Sequence, residues 1–228
     1  MGKAVHTRDM ISDGDHVLVA VSGGKDSMTL LWQLRERLKR VPIRYRITAV
    51  HVNPGFSPLS SEVLKGFFES NHFDYRIIES DIGPKAHGPE NRENPCFLCS
   101  RLRRKIIFEL ANDLGCRKIA FGHHKDDLIE TFFINLLYGA SISTMLPVQD
   151  FFKGKVKIIR PLYLVDEETI SEYCKKMEWP VVDLKCPSAG NSRREEIKRM
   201  LSLLYASSEK TKGNIFHALQ NVRQEYLL

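Results

Sequence analysis

Short apolar runs alternate along the chain with segments in which apolar residues recur every three or four positions. The runs predict buried strands, and the periodic segments predict helices with one apolar face. The predicted strands lie at 16–21, 45–52, 73–79, 117–122 and 156–160, and the predicted helices at 25–40, 59–71, 98–114, 126–138 and 167–176. This β-α-β-α alternation favours a parallel sheet with right-handed crossovers and helices on both faces. We therefore predict a doubly wound α/β fold.

Two irregular segments interrupt this alternation, at 81–95 and 140–155. The first is polar, rich in Gly, Pro and Asn, and longer than an ordinary crossover loop, and loops of that length are often functional. Towards the C-terminus the pattern becomes helical again, at 192–205 and 213–222. We therefore expect a main domain followed by a short helical extension, with bounds at 1–186 and 187–228.

The turn between the first predicted strand and the first predicted helix carries an unusual set of residues: Ser22, Gly23, Gly24, Lys25, Asp26 and Ser27. Glycines let backbone N–H groups approach phosphate oxygens, and the dipole at a helix N-terminus favours negative charge. The segment is too short for the G-x-x-x-x-G-K-S/T motif and lacks the third glycine of G-x-G-x-x-G. We interpret these residues, called the glycine loop below, as a phosphate-binding loop rather than a plain tight turn.

A second polar motif follows the fourth predicted strand and leads into a helix. It consists of Gly122, His123, His124, Lys125, Asp126 and Asp127, with Glu130 and Thr131 one turn further on. An acidic residue at a helix start interacts favourably with the helix dipole. This structural role explains one carboxylate well but two of them poorly. The carboxylates can hold Mg²⁺ or contact a reacting base. The adjacent histidines are expected to face different directions, one lining a site and one packing.

The cysteines divide into two kinds. Five of them in a chain without a visible export signal argue against a disulfide framework. Cys116 and Cys174 lie in apolar patterns and are predicted as core residues. Cys96 and Cys99 form a C-x-x-C pair at a loop-to-helix junction, a spacing that zinc sites, redox pairs and iron–sulfur clusters all use. Cys186 lies in a polar stretch that does not look like a core position.

Composition and charge indicate where the protein is located and what class of partner it binds. No apolar stretch approaches the roughly 18 residues that span a bilayer, and no signal-peptide pattern is visible, so we expect a cytoplasmic protein without a membrane partner. The net charge is +6, and the basic residues cluster at Arg101, Arg103, Arg104 and Lys105, and again at Lys185, Arg193, Arg194, Lys198 and Arg199. Charge runs are usually solvated helix faces. Here the two basic clusters lie just beyond the cysteines, and this position favours a polyanionic partner such as RNA.

These motifs together resemble a known family. The glycine loop resembles the SGGxDS signature of the PP-loop ATP pyrophosphatases, which cleave ATP between the α and β phosphates, and residues 122–131 resemble their GHHxDDxxET element. With PCFLCSRLRR at 95–104, RPL at 160–162 and FHALQNV at 216–222, the chain is similar to the tRNA 2-thiocytidine synthetases. Members of that family are iron–sulfur tRNA thiolases with a PP-loop domain. The resemblance runs from about residue 15 to near the C-terminus.

The resemblance implies a set of ligands. Cys96, Cys99 and Cys186 match the ligands of a [4Fe–4S] cluster, and three thiolates would leave one iron open to a sulfur species. The family often has a second C-x-x-C, whereas Asp183 stands three residues before Cys186 here. The glycine loop matches the ATP pyrophosphate site, to which the resemblance adds Gly122 and, near the adenine, His51.

The resemblance also implies a reaction. ATP adenylates the C2 oxygen of a cytidine in tRNA with release of pyrophosphate, and sulfur then displaces AMP. Lys25 and Mg²⁺ would stabilise the phosphates, while Asp127, and after it Asp126, would contact the base or the metal. Arg103 and Arg104 would hold the tRNA backbone. The implied partners are tRNA, ATP and a sulfur donor, either sulfide or a persulfide-carrying protein, and a homodimer is compatible with the sequence.

Three other interpretations stay open at this point. A tRNA lysidine synthetase would also adenylate cytidine but needs no cluster. A small-molecule sulfurtransferase would use the same ATP site without RNA. A non-enzymatic RNA-binding redox module would keep the cysteines and the basic clusters but would not cleave ATP to AMP.

Overall fold

A computed structural model of the chain describes residues 1–57, 59–182, 186–190 and 192–226. In these residues one sheet is formed by the strands β1 (His16–Ala20), β2 (Arg46–Asn53), β3 (Asp74–Glu79), β4 (Lys118–Ala120), β5 (Val148–Phe151) and β6 (Val156–Ile159). The helices are α1 (Gly2–Thr7), α2 (Lys25–Leu38), α3 (Leu59–Ser70), α4 (Ile82–Ala86), α5 (Pro95–Asp113), α6 (Lys125–Tyr138), α7 (Glu167–Met177), α8 (Arg193–Ser207) and α9 (Thr211–Ala218), followed by a 3-10 helix at Gln224–Tyr226.

The sheet has the order β3-β2-β1-β4-β6-β5, and all neighbours are parallel except β5 and β6. The direction of chain progression reverses between β1 and β4, which makes this the topological switch point of the sheet. Ligands of open α/β sheets bind at such points, beyond the carboxyl ends of the strands. The glycine loop follows β1, and the segment 121–124 follows β4. The predicted α/β fold is confirmed.

The central strand β1 is buried on both faces, as expected for the middle of a parallel sheet. Val17, Leu18 and Val19 are fully buried. At the start of the strands, Thr48 Oγ1 donates a hydrogen bond to Asp74 Oδ2 at 2.6 Å and lies 2.8 Å from His16 Nε2. This hydrogen-bonded chain ties β1, β2 and β3 together at the end of the sheet opposite the switch point.

The helix that carries the C-x-x-C pair packs on this sheet. Ile107 and Ala111 of α5 lie in one apolar cluster with Leu18 and Ile119. Cys116 belongs to the same cluster, and burial raises the pKa of its thiol to about 11. Cys174 is likewise buried. The prediction that Cys116 and Cys174 are core residues is therefore confirmed.

Four of the described elements were not predicted from the sequence: β5, α1, α4 and the 3-10 helix at Gln224–Tyr226. The segment 140–155 contains β5, a four-residue edge strand antiparallel to β6. Such a short strand shows no clear alternation, and its turn relies on positive φ angles at Phe152, Lys153 and Gly154. The short helices α1 and α4 were also missed, and α4 lies inside the segment 81–95.

The chain divides into two compact units, 1–124 with 147–188 and 125–146 with 189–228. The first contains the sheet, the glycine loop and the cysteines. The second contains α6, α8 and α9, and its core includes Ile129, Ile197 and Leu201. None of the helices in the described ranges is long and apolar enough to cross a membrane.

Candidate nucleotide site and cysteine site

The glycine loop depends on the absence of a side chain at Gly23. This residue has a φ of +91°, and a Cβ atom there would lie 2.9 Å from Val182 Cβ. Val182 N also donates a hydrogen bond to the Gly23 carbonyl at 3.0 Å. The backbone of a distant segment is therefore packed directly on the loop, in a conformation that strongly favours glycine.

The two serines hold the glycine loop in shape. Ser27 Oγ accepts a hydrogen bond from Ser22 N at 3.1 Å and donates one to the Gly24 carbonyl at 2.9 Å. Ser22 Oγ accepts from Gly24 N at 3.3 Å. Gly24 is the N-cap of α2 and offers no capping side chain. The helix N-terminus can therefore receive an anion, as the sequence predicts.

Lys25 is the cation of this loop, and it lies between two carboxylates. Its Nζ is 3.2 Å from Asp26 Oδ1 and 3.0 Å from Glu167 Oε1. Burial alone would lower the pKa of Lys25, but Asp26 and Glu167 outweigh that effect and raise it. Lys25 is therefore protonated at neutral pH. Sequence analysis missed Glu167, because an acidic residue in the first turn of a helix is explained by the helix dipole alone.

The segment after β4 packs against the glycine loop. A Cβ atom at Gly122 would lie 3.0 Å from backbone atoms of Asp26 and Ser27, so glycine allows this close approach. His124 is buried, and its Nε2 lies 3.7 Å from Asp26 Oδ1. His123 instead stacks on Phe121 and accepts a hydrogen bond from Arg160 Nε at 3.3 Å. The two histidines do face different partners.

His51 lies at the base of the loop. Its side chain is fully buried, and Nδ1 is 2.8 Å from the Val21 carbonyl. A carbonyl oxygen only accepts, so Nδ1 carries the proton. Burial lowers the pKa of His51, and the ring is neutral at neutral pH. In this structure His51 therefore supports the backbone that enters the glycine loop and offers no exposed surface to an adenine.

Asp126 and Asp127 begin α6 in the second unit, and each is ion-paired there. Asp127 Oδ1 lies 2.8 Å from Arg194 NH1, which is also 2.8 Å from Glu130 Oε2. Asp126 forms an ion pair with Lys212. Burial raises the pKa of Glu130, and Arg194 opposes this shift without cancelling it. Helices α8 and α9 thus compensate the charges of α6.

This arrangement changes the interpretation of Arg194. The sequence places it in a basic cluster that favours RNA, whereas its guanidinium contacts Asp127, Glu130 and, at 3.3 Å, Thr131 Oγ1. The neighbouring Arg193 is exposed and stacks over Tyr138 at 4.2 Å. The sequence alone does not show which of the two arginines is exposed. Consecutive positions on a helix point in different directions, and the packing of α8 decides which of them meets α6.

The C-x-x-C pair lies at the start of α5. Asn94 caps this helix by accepting a hydrogen bond from Phe97 N at 3.2 Å. Cys96 is exposed, and Cys99 and Cys186 are half-buried. Burial raises the pKa of Cys99, Arg103 opposes the shift, and Cys186 and Cys96 add to it. Cys99 is therefore within electrostatic range of both Cys96 and Cys186, although Cys186 lies about 90 residues further along the chain.

Arg103 lies one turn beyond Cys99 and differs from its basic neighbours. Arg101, Arg104 and Lys105 are exposed, whereas Arg103 Nε is buried and has no hydrogen-bond partner among the described residues. Burial lowers the pKa of Arg103, and Cys99 opposes the shift. Arg103 as a whole is half-buried beside Cys99, whereas Arg104 is exposed. The contact of the two arginines with a phosphate backbone stays a prediction.

The described residues contain no group of three His, Cys, Asp or Glu side chains placed to hold a single metal ion. For Mg²⁺ this agrees with the ion pairs that Asp126 and Asp127 form with Lys212 and Arg194. A [4Fe–4S] cluster is a different case, because it binds each thiolate through a separate iron and its ligands need not converge on one point. The thiols of Cys96, Cys99 and Cys186, with the half-buried Arg103 beside Cys99, are a donor set that fits such a cluster.

The chain is similar to known proteins over most of its length. A family model described as the PP-loop domain matches residues 3–199. A tRNA-cytidine(32) 2-sulfurtransferase of Methylobacillus flagellatus is 39% identical over 233 residues, covering 99% of this chain and 75% of the relative. A protein of the same name from Dechloromonas aromatica is 39% identical over 232 residues, covering 99% of this chain and 79% of the relative. The chain therefore belongs to the tRNA-cytidine(32) 2-sulfurtransferase family of PP-loop proteins.

A solved structure is similar in fold. The U34-tRNA thiolase NcsA of Methanococcus maripaludis, determined with its [4Fe–4S] cluster, superimposes with a TM-score of 0.78 and 24% sequence identity. The alignment covers 100% of this chain and 78% of that one. At this identity the similarity supports the fold, and the family assignment rests on the closer sequence relatives.

Replacing Gly23 with Ala should distort the glycine loop, since the new methyl group meets Val182 and the φ of +91° is strained for alanine. We expect the affinity for ATP, measured by calorimetry, to fall by roughly tenfold or more. Gly66→Ala is the matched control, because no described atom lies within 4 Å of its Cβ position in α3. Unchanged ATP affinity in Gly23→Ala would contradict the assignment of the loop.

Glu130 should make the stability of the protein depend on pH. Its pKa is raised above the ordinary 4.5, so the folded state keeps a proton that the unfolded state loses. The free energy of unfolding should therefore fall as pH rises from about 4.5 through the folded-state pKa of Glu130. Glu130→Gln should remove that part of the pH dependence in urea unfolding, and Glu172→Gln, an exposed control, should keep it. Parallel curves for wild type and Glu130→Gln would refute this account.

Proposed function

We propose that the protein is an ATP-dependent tRNA thiolase that replaces the C2 oxygen of a cytidine with sulfur, at position 32 as in the names of its relatives. The observation that carries the proposal is a single segment of the first unit. Val182 donates a hydrogen bond to Gly23 of the glycine loop, and Cys186, four residues further on, lies within electrostatic range of Cys99. One short stretch of chain thus joins a phosphate-binding loop to a set of thiols.

The reaction would proceed in two steps. The C2 oxygen of cytidine attacks the α-phosphorus of ATP, which forms a C2–O–AMP bond and releases pyrophosphate. A sulfur atom at the oxidation level of sulfide then attacks C2, and AMP leaves with the oxygen. The glycine loop would bind the phosphates, and Lys25 would neutralise the charge that develops on them, because its raised pKa keeps it protonated.

Glu167 and the aspartates would have different roles. Glu167 compensates Lys25 before ATP arrives, so the phosphates would compete with it for the lysine ammonium. Asp127, with Asp126 second, is our candidate for contacting the reacting base. Arg194 and Lys212 would hold these carboxylates in position.

Cys96, Cys99 and Cys186 would hold the [4Fe–4S] cluster, which when bound supplies an iron for the sulfur atom. Arg103, half-buried beside Cys99, would compensate the negative charge of the thiolates. The exposed residues Arg101, Arg104 and Lys105 would contact tRNA phosphates, which position a nucleic acid without reading its sequence. We further propose that the sulfur donor is sulfide, or a persulfide-carrying protein from which a thiol reductant releases sulfide and is itself oxidised to a disulfide. We also propose a cytoplasmic location and a homodimer.

The function is tested by incubating protein purified without oxygen with a tRNA transcript, ATP and sulfide, and analysing the nucleosides by mass spectrometry. We expect 2-thiocytidine together with AMP and pyrophosphate, and no product from a transcript with uridine at position 32. Lys25→Ala should abolish product formation, whereas Gly66→Ala should not. Lysidine, or thiolation of a free nucleoside but not of tRNA, would contradict the proposal.

Iron content tests the cysteine assignment independently of activity. Single replacement of Cys96, Cys99 or Cys186 by Ala should abolish the visible absorbance and the bound iron after anaerobic reconstitution. Cys116→Ala and Cys174→Ala remove core thiols and should retain both. Stoichiometric zinc in an active, colourless wild type would refute the iron–sulfur assignment.

A further inference from the structure

The loop between β3 and α5 contains a hydrogen bond that no motif accounts for. His87 Nε2 lies 2.8 Å from Ser188 Oγ, and the two residues are 101 positions apart in the chain. Ser188 is two residues beyond Cys186. His87 lies in the segment that leads into the C-x-x-C pair. The contact therefore joins the two stretches of chain that carry the three neighbouring cysteines, and both stretches belong to the first unit.

The imidazole of His87 is fixed before it meets Ser188. Its Nδ1 lies 3.0 Å from the Gly83 carbonyl, which also accepts the His87 backbone N–H at 3.1 Å. A carbonyl only accepts, so Nδ1 carries a proton, and in that tautomer Nε2 accepts from Ser188 Oγ. The ring also packs edge-on against Phe56, with centroids 5.4 Å apart. These contacts set the direction of the Nε2 lone pair.

The support beneath His87 is equally close-packed. Gly83 N donates to the Pro54 carbonyl at 2.6 Å, and a Cβ atom at Gly83 would lie 2.5 Å from the ring of Phe56. Ile82 of α4 lies in the apolar cluster that contains Ile107 of α5. The imidazole is thus held on the same rigid part of the sheet and α5 that carries Cys96 and Cys99.

Ser188 stands two residues beyond Cys186 in the chain and donates to His87. Fixing Ser188 limits the conformations that are open to Cys186 before any ligand binds. The Cys186 thiol lies within electrostatic range of Cys99.

We propose that the His87–Ser188 hydrogen bond is a positioning contact that holds Cys186 beside Cys96 and Cys99 for cluster binding. The proposal rests on the proposed function, since it takes Cys186 as a cluster ligand. His87 and Ser188 act through Cys186 and do not touch the reacting atoms. The segment 81–95, which the sequence marks as a long polar loop, thereby acquires a role in the cysteine site.

The first test measures cluster retention. Ser188→Ala removes the donor, and His87→Phe removes the acceptor while keeping a ring against Phe56. Loss of one hydrogen bond of ordinary strength should make cluster release to an iron chelator, followed anaerobically by visible absorbance, about fivefold faster. Ser188→Thr, which keeps the hydroxyl, should restore the wild-type rate. Ser100→Ala is the matched control, because Ser100 adjoins Cys99 but bonds only within its own helix, to the Phe97 carbonyl.

The second test needs no cluster. In the protein without iron, the rate of alkylation of each cysteine by iodoacetamide is read by peptide mass spectrometry. Ser188→Ala should raise the rate at Cys186 about fivefold relative to Cys96, and should leave Cys116 and Cys174 protected. Equal rates at Cys186 in wild type and Ser188→Ala, or faster alkylation of the two core cysteines as well, would overturn the proposal.

The two tests separate the possible failures. A wild type that binds no iron contradicts the proposed function, and the alkylation rates then decide on the positioning contact by themselves. If the wild type binds the cluster but loses it as fast as Ser188→Ala and His87→Phe do, the positioning contact is contradicted and the proposed function is not.

Discussion

The close approach of backbone segments at the exit of β1 is the constraint on which the candidate site depends. Gly23 and Gly122 lack the Cβ atoms that would otherwise collide with Val182 and with the start of α2. Because these contacts are made by backbone, they bring the N-terminus of α2, the segment after β4 and the stretch before Cys186 within van der Waals distance. A phosphate-binding loop results whose shape is fixed before the nucleotide arrives, which reduces the entropy lost on binding.

Charge compensation is the second feature of the molecule. Lys25 is balanced by Asp26 and Glu167 in the first unit, and Asp127 and Asp126 are balanced by Arg194 and Lys212 in the second. Partly buried charges are costly unless they are paired, so each reactive group needs a partner in the ligand-free protein. A ligand that binds one of these charged groups must either displace its ion-pair partner or bind beside it. Ligand binding would therefore alter ion pairs that also stabilise the unit.

The cysteine site shows how a loop that looks irregular in sequence acquires a structural role. The segment 81–95 contains α4 and His87, and it meets the stretch after Cys186 through one hydrogen bond. Arg103, half-buried beside Cys99, places a positive charge next to that thiol. Val182 meets the glycine loop and Ser188 meets His87, so two positions on either side of Cys186 contact different parts of the first unit.

By itself the sequence determined the α/β fold, the glycine loop between β1 and α2, the two core cysteines and the family. These depend on local periodicity and on motifs of adjacent residues, which a linear pattern records directly. Only the tertiary structure decided that Glu167 pairs with Lys25, that Arg194 binds Asp127 while Arg193 stays exposed, and that His87 meets Ser188. Those contacts join residues far apart in the chain, and their geometry follows from sheet order and helix rotation, which no local pattern encodes.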